Sequence, residues 1–256
     1  MTWPTRPRPR PGEPPLRAEL FGVEQLSRHA AALAAEHQAV IRRSPNQLLA
    51  RLDANEEILR EFNRATVTID KTRKVTPAAE WLLDNFYLLE EQIQMARRHL
   101  PRNYSSELPR LVRGPSAGLP RVYDIVLELI AHMDAQIDAA SLTAFIAAYQ
   151  AGKPLKLGEL WAIPIMLRLG LIENLQRITT RLAVARHDRN LADAWVDRLQ
   201  DMTEKNPSHL VVVVGEMAQS DLPLTSSFVT EFCQRLSRQN PMQHIARGWL
   251  EQRLVQ

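Results

Sequence analysis

From Leu20 onward, apolar residues recur at three- and four-residue spacing almost without a gap, the period of an α-helix with one buried face. Leu26, Ala30, Leu33 and Val40 form a first stripe, with His29 and His37 at its border. Ser44-Pro45 supplies a cap and first-turn pair, after which Leu48, Leu52, Asn55, Leu59, Phe62, Thr66 and Ile69 predict a helix of up to about eight turns. Thr76-Pro77 restarts the chain and predicts one helix to about Leu100, carrying Trp81, Leu82, Phe86, Leu89 and Ile93 toward a core.

Residues 101–120 hold four prolines with Gly114 and Gly118, too many breakers for a continuous element. An ordered loop is expected there, with one short helix near Ser106–Val112. Pro120 then opens the cleanest amphipathic stretch, Val122, Ile125, Val126, Leu129, Ile130, Met133 and Ile137, with Asp124, Glu128 and Asp138 off the stripe. Ser141 is expected to cap a helix to about Gln150. Ala151–Lys156 reads as a turn, and Gly158 to about His187 as a long central helix that Pro164 should kink.

Further on, Asn206-Pro207 and Asn240-Pro241 look like cap signals, with a helix between them from about Ser226 to Arg238. Val211–Val214 is the serious strand candidate. A lone strand leaves its amides unpaired, so helix is the better assignment. The pattern predicts an all-α chain of nine or ten helices in a multi-helix bundle or irregular array.

Composition sharpens this picture. Nine glycines and 6% aromatics in 256 residues argue against a turn-rich β protein or a glycine-looped nucleotide-binding sheet. Six of the 17 prolines fall in residues 1–15, beside Arg6, Arg8, Arg10 and Arg17. Residues 1–18 are therefore expected to be a disordered tail, and 19–256 an all-helical domain with a possible soft division near 188–206. The tail accounts for the net charge of +3, so the body is formally neutral and offers no basic face for nucleic acid. A single cysteine, Cys233, excludes an internal disulfide. No apolar run approaches the roughly 20 residues a membrane span requires, and no apolar segment follows the arginines as in a secretory signal. On sequence the chain reads as cytoplasmic.

Familiar catalytic signatures are missing. There is no Asp-x-Asp, no His-Glu-x-x-His and no Gly-x-Ser-x-Gly, and the seven histidines lack paired metal-ligand spacing. No catalytic, cofactor-binding or metal residue is therefore assigned. Asp84, Tyr87 and Glu91 share a helical face, and Asn85 adjoins them; Asp84 and Asn85 are expected to pair with a neighbouring helix. Arg168 sits in a segment apolar on nearly every side and is expected to pair with an acid, Asp84 or Glu128 first. Trp81, Tyr87, Tyr123 and Trp161 are candidate core or interface anchors, and Arg121 and Glu159 candidate buried polar groups.

Three strings go beyond pattern: Pro77–Phe86 (PAAEWLLDNF), Leu100–Tyr104 (LPRNY) continuing through Leu108-Pro109 to Gly118–Tyr123 (GLPRVY), and Gly158–Arg168 (GELWAIPIMLR) with Ile172–Leu175 (IENL). With Pro223–Val229 and Trp249–Leu254, they resemble the N-terminal region of bacterial cyclic β-1,2-glucan synthases over about residues 17–254. Members of that family are large inner-membrane proteins that polymerise glucose from UDP-glucose and cyclise the product. The resemblance implies a helical leader that packs against the membrane and transferase portions of a synthase, as a fragment, a truncated gene or a separate subunit. It implies no catalytic residue and no cofactor in these positions, and it places the chain at the inner membrane through the rest of the synthase. The family's Gln-x-x-Arg-Trp element is not matched by Gln243…Arg247-Gly248-Trp249, whose spacing differs. The other readings open at this stage are a free-standing helical adaptor and a small helical enzyme built around Asp84 and Arg168.

Overall fold

A computed structural model describes residues 18–41, 47–68, 76–100, 107–205, 209–236 and 248. The expected tail up to residue 17, the Ser44-Pro45 cap, both Asn-Pro signals and Trp249–Leu254 lie outside the described residues, whereas Ala18, its expected last residue, donates its amide to the Ala131 carbonyl at 3.2 Å. Those that are described contain nine helices and one two-stranded ribbon, and they fall into two compact units that meet in sequence at Thr180 and Arg181. Among the described residues, no helix is long and apolar enough to cross a membrane.

The larger unit begins with α1 (Val23–Glu36), whose Leu26, Ala30, Leu33 and Ala34 are buried. Its start is fixed by Gln25, whose side-chain oxygen accepts a hydrogen bond from the Gly22 amide at 3.0 Å. α2 (Gln47–Val67) buries Leu48, Leu52, Asn55, Leu59, Phe62 and Thr66, the predicted stripe, and packs on α3 (Pro77–Asp84) and α4 (Phe86–His99). The single helix expected over 77–100 is thus two. Asn85 breaks it: its side-chain amide donates to the Trp81 carbonyl at 2.7 Å, and its backbone leaves helical geometry at φ −108°, ψ 10°.

No helix forms over the described residues 107–112. Instead β2 (Arg110–Leu111) pairs antiparallel with β1 (Ala39–Val40), in the register Ala39 to Leu111 and Val40 to Arg110. A strand pair two residues long leaves no alternating stripe to read. The turn after β2 closes through the Gly118 amide to the Leu111 carbonyl at 2.8 Å. Gly114 and Gly118 take φ +92° and +85° there, a region that side chains disfavour.

α5 (Arg121–His132) stops five residues short of Ile137 because Asp134 and Ala135 turn left-handed. Asp138, not Ser141, caps α6 (Ala139–Gly152), accepting from the Ser141 amide at 2.8 Å. α6 packs on α1 so closely that a Cβ at Gly152 would lie 3.3 Å from that of Ala34. α7 (Leu157–Lys205) is 49 residues long: Pro164 does not end it, and it continues well past His187. No glycine or proline interrupts residues 171–205, and Ala192, Trp195, Val196 and Leu199 carry the apolar stripe onward.

In the smaller unit those α7 residues meet Leu210, Val213 and Met217 of α8 (Leu210–Gln219) and Phe228, Phe232 and Leu236 of α9 (Ser226–Leu236) in one apolar core. Val211–Val214 are therefore helical. Thr225 caps α9 through the Phe228 amide and donates its own hydroxyl to Asp188 at 2.7 Å.

Candidate functional site

The larger unit carries a cleft of about 400 Å³ between the end of α1, the turn after β2, α5 and α7. His37, Arg113, Asp124, Glu128, Asn174 and Arg177 are among its polar lining residues. Its walls are held by charges that the apolar pattern alone does not place. His37 is buried; its Nε2 donates to Asp124 at 3.0 Å, which in the neutral ring leaves Nδ1 to accept from the Tyr149 hydroxyl at 2.9 Å.

Glu173 of α7, next in sequence to the cleft-lining Asn174, is buried. Arg51 of α2 grips it with two hydrogen bonds of 2.5 Å, Arg177 adds a third, and the Tyr123 hydroxyl of α5 donates to it at 2.6 Å. Burial alone would push this carboxyl upward, but the hydrogen bonds and charge of Arg51, with Tyr123 and Arg177, outweigh it and hold the group at about 2. Tyr123 moves the other way: burial first, then the Glu173 charge, raises its hydroxyl well above the usual phenol range. The α2, α5 and α7 helices are thereby tied at one buried point.

A second tie lies two residues before Tyr123. Arg121 donates to Glu159 through Nε at 2.7 Å and Nη2 at 2.8 Å, and Nη2 also reaches the Pro154 carbonyl at 2.9 Å. Glu159 accepts in addition from the Lys156 amide at 2.9 Å, so the acid fixes the start of α7 as well as the arginine. The Glu159 hydrogen bond holds Arg121 charged above its already high range, against the opposing effect of burial.

Beside the cleft, α1 and α5 bring His29, Glu128 and His132 together, with one ligand atom from each lying within 4.8 Å of the others. His29 Nε2 is 3.0 Å from Glu128 Oε2, and His132 Nε2 is 3.7 Å from the same oxygen. Sequence reading missed this group. Its one local trace is the four-residue step from Glu128 to His132, which stacks both on one helix face; His29 joins only through tertiary packing.

The remaining predicted residues are placed less centrally. Trp81, Tyr87 and Trp161 are 60%, 65% and 71% exposed, so none is a core anchor. Trp81 lies one residue off the buried Leu82–Phe86–Leu89–Ile93 stripe, and Trp161 one residue before buried Ala162. Asp84 is exposed at the end of α3, and Asn85 bonds its own helix rather than a neighbour. Arg168 is half-buried and donates to Gln92 of α4 at 3.0 Å. The expected acid partner is not used: among the described residues no ion pair joins it to Asp84, and Glu128 is engaged by His29.

No protein-family model matches the chain. Over 241 residues, 93% of its length, it is 32% identical to the cyclic beta-(1,2)-glucan synthase NdvB of Rhizobium meliloti (strain 1021). This chain is related to a region of a glucan synthase. The match spans 8% of that relative's length. The motifs around Trp81, Arg121 and Glu159 thus belong to a stretch with a counterpart in a much longer protein, and the Arg121–Glu159 and Tyr123–Glu173 pairs lie within strings that carry the resemblance.

Proposed function

We propose that this chain is the N-terminal, non-catalytic helical module of a cyclic β-1,2-glucan synthase, acting as a support and docking part for the portions that transfer glucose from UDP-glucose. In this reading the glucosyl-transferring groups, and any cofactor they use, lie outside these 256 residues, and the module sits at the inner membrane through the rest of the synthase. The observation that carries it is a match over 93% of this chain that occupies 8% of the relative. Two features of the fold support it. The interior charges Arg121, Glu159, Arg51 and Glu173 are spent on tying helices together, an arrangement suited to rigidity. Trp81 and Trp161 stand exposed, the residue type most often found as an interface anchor.

Two assays test the proposal. The purified chain, incubated with UDP-glucose and magnesium, is expected to yield no β-1,2-linked glucan; product would overturn the non-catalytic reading. A synthase carrying Trp81→Ala and Trp161→Ala in this region is expected to lose glucan output while the isolated chain keeps its thermal midpoint. Undiminished output would overturn the docking role of this surface.

A further inference from the structure

The geometry points to a zinc site: we propose that His29 Nε2, Glu128 Oε2 and His132 Nε2 bind one divalent transition-metal ion, with solvent completing the coordination. This inference is independent of the reading above.

The tautomer of His132 carries the argument. Its Nδ1 lies 2.7 Å from the Glu19 carbonyl oxygen, which can only accept, so Nδ1 holds a proton. In the neutral ring Nε2 is then a bare lone pair. That lone pair faces the Glu128 carboxylate at 3.7 Å, too far for a hydrogen bond. Zinc–nitrogen and zinc–oxygen bonds of roughly 2.0–2.2 Å make separations of this size normal between two ligands of one ion. The 3.0 Å approach of His29 Nε2 to the same carboxylate oxygen fits the third ligand, its proton being displaced by the metal.

Support behind the ligands is also present. A carbonyl behind a ligating histidine, which fixes its tautomer and orientation, is the usual partner in such sites. The Phe21 ring stacks on His132 at 3.9 Å and 9°, and the Phe21 amide donates to the His132 carbonyl at 3.1 Å, so ring and backbone are both held. His29 and Glu128 are 27% and 29% exposed, which lets an ion and its waters enter. Two imidazoles and one carboxylate suit zinc or its neighbours, not magnesium or calcium, which favour oxygen.

The test is titration of the chelator-treated full chain with zinc chloride by calorimetry, with thermal melting in parallel. One zinc per chain and a raised melting midpoint are expected, and no such response to magnesium. Glu128→Gln preserves the side-chain shape, and His132→Asn is chosen to keep a donor toward Glu19 while deleting Nε2. Each is expected to weaken zinc binding roughly tenfold or more and to abolish the zinc-dependent rise in midpoint. Failure of the parent chain to bind zinc, or binding by folded Glu128→Gln as tight as the parent's, would overturn the site. Glu128→Gln alone decides if His132→Asn does not fold.

Discussion

Arg121 and Glu159 meet in a two-pronged hydrogen-bonded pair between α5 and α7, with their side chains 7% and 0% exposed. Such a pair gains little over an apolar contact, because both charges have left water, but losing one member strands the other. Arg121→Met or Glu159→Leu is therefore expected to cost about 3–5 kcal/mol in urea unfolding. The double change Arg121→Met with Glu159→Leu should cost clearly less than the two single losses together. Strict additivity would show that the pair is not coupled.

Glu173 predicts acid sensitivity. Its carboxyl sits at about 2, against an ordinary 4.5, so its ionised form stabilises the fold above pH 4.5, and that contribution is lost as pH falls toward 2. A shift of that size corresponds to roughly 3 kcal/mol. Glu173→Gln should flatten the stability profile across this window while lowering stability at neutral pH. An unchanged acid profile in the variant would remove Glu173 from the explanation.

The buried phenols act at the other end of the scale. Burial holds Tyr149 at about 12, despite the opposing Arg121 charge, and Tyr123 is also raised. A raised group contributes stability that is complete below its unfolded value near 10 and disappears as pH climbs through the folded value. Tyrosinate absorbance should therefore show a late phase coinciding with unfolding, and Tyr149→Phe should remove part of it. A Tyr149 phase complete by pH 10 would contradict this burial.

Two helical glycines should respond oppositely to added bulk. At Gly170 of α7 a Cβ would lie 2.7 Å from Ile130 Cδ1 and 3.3 Å from Val126 Cγ1 of α5, whereas Gly215 of α8 has nothing within 4 Å. Gly215→Ala is expected to stabilise by about 0.5–1 kcal/mol, the helix-propensity gain. Gly170→Val should destabilise by about 1–3 kcal/mol through overpacking. A melting temperature of Gly170→Val that does not fall would refute the close α5–α7 approach.

Where the periodicity was strong, it carried the fold: α2 buries the predicted stripe from Leu48 to Thr66, and Val211–Val214 form a helix because a lone strand has no partner. Short-range competition was harder to read. Asn85 interrupts a helix with one side-chain bond, and the β1–β2 pair is too short to leave a period. The site was legible by residue type but not by partner. Buried arginines and acids must pair, yet only packing decides that Arg121 takes Glu159 while Arg168 takes Gln92. Seven scattered histidines likewise gave no hint that His29 lies beside Glu128, 99 positions away.

The 49 residues of α7 have a practical outcome for anyone dividing this polypeptide into separately expressed halves. The seam at Thr180 and Arg181 falls inside a hydrogen-bonded helix, not in a loop. Severing it there would bare up to four carbonyls on one side and four amides on the other, giving both pieces frayed ends. Fragments that overlap, each retaining several extra turns past the seam, should be the better-behaved reagents.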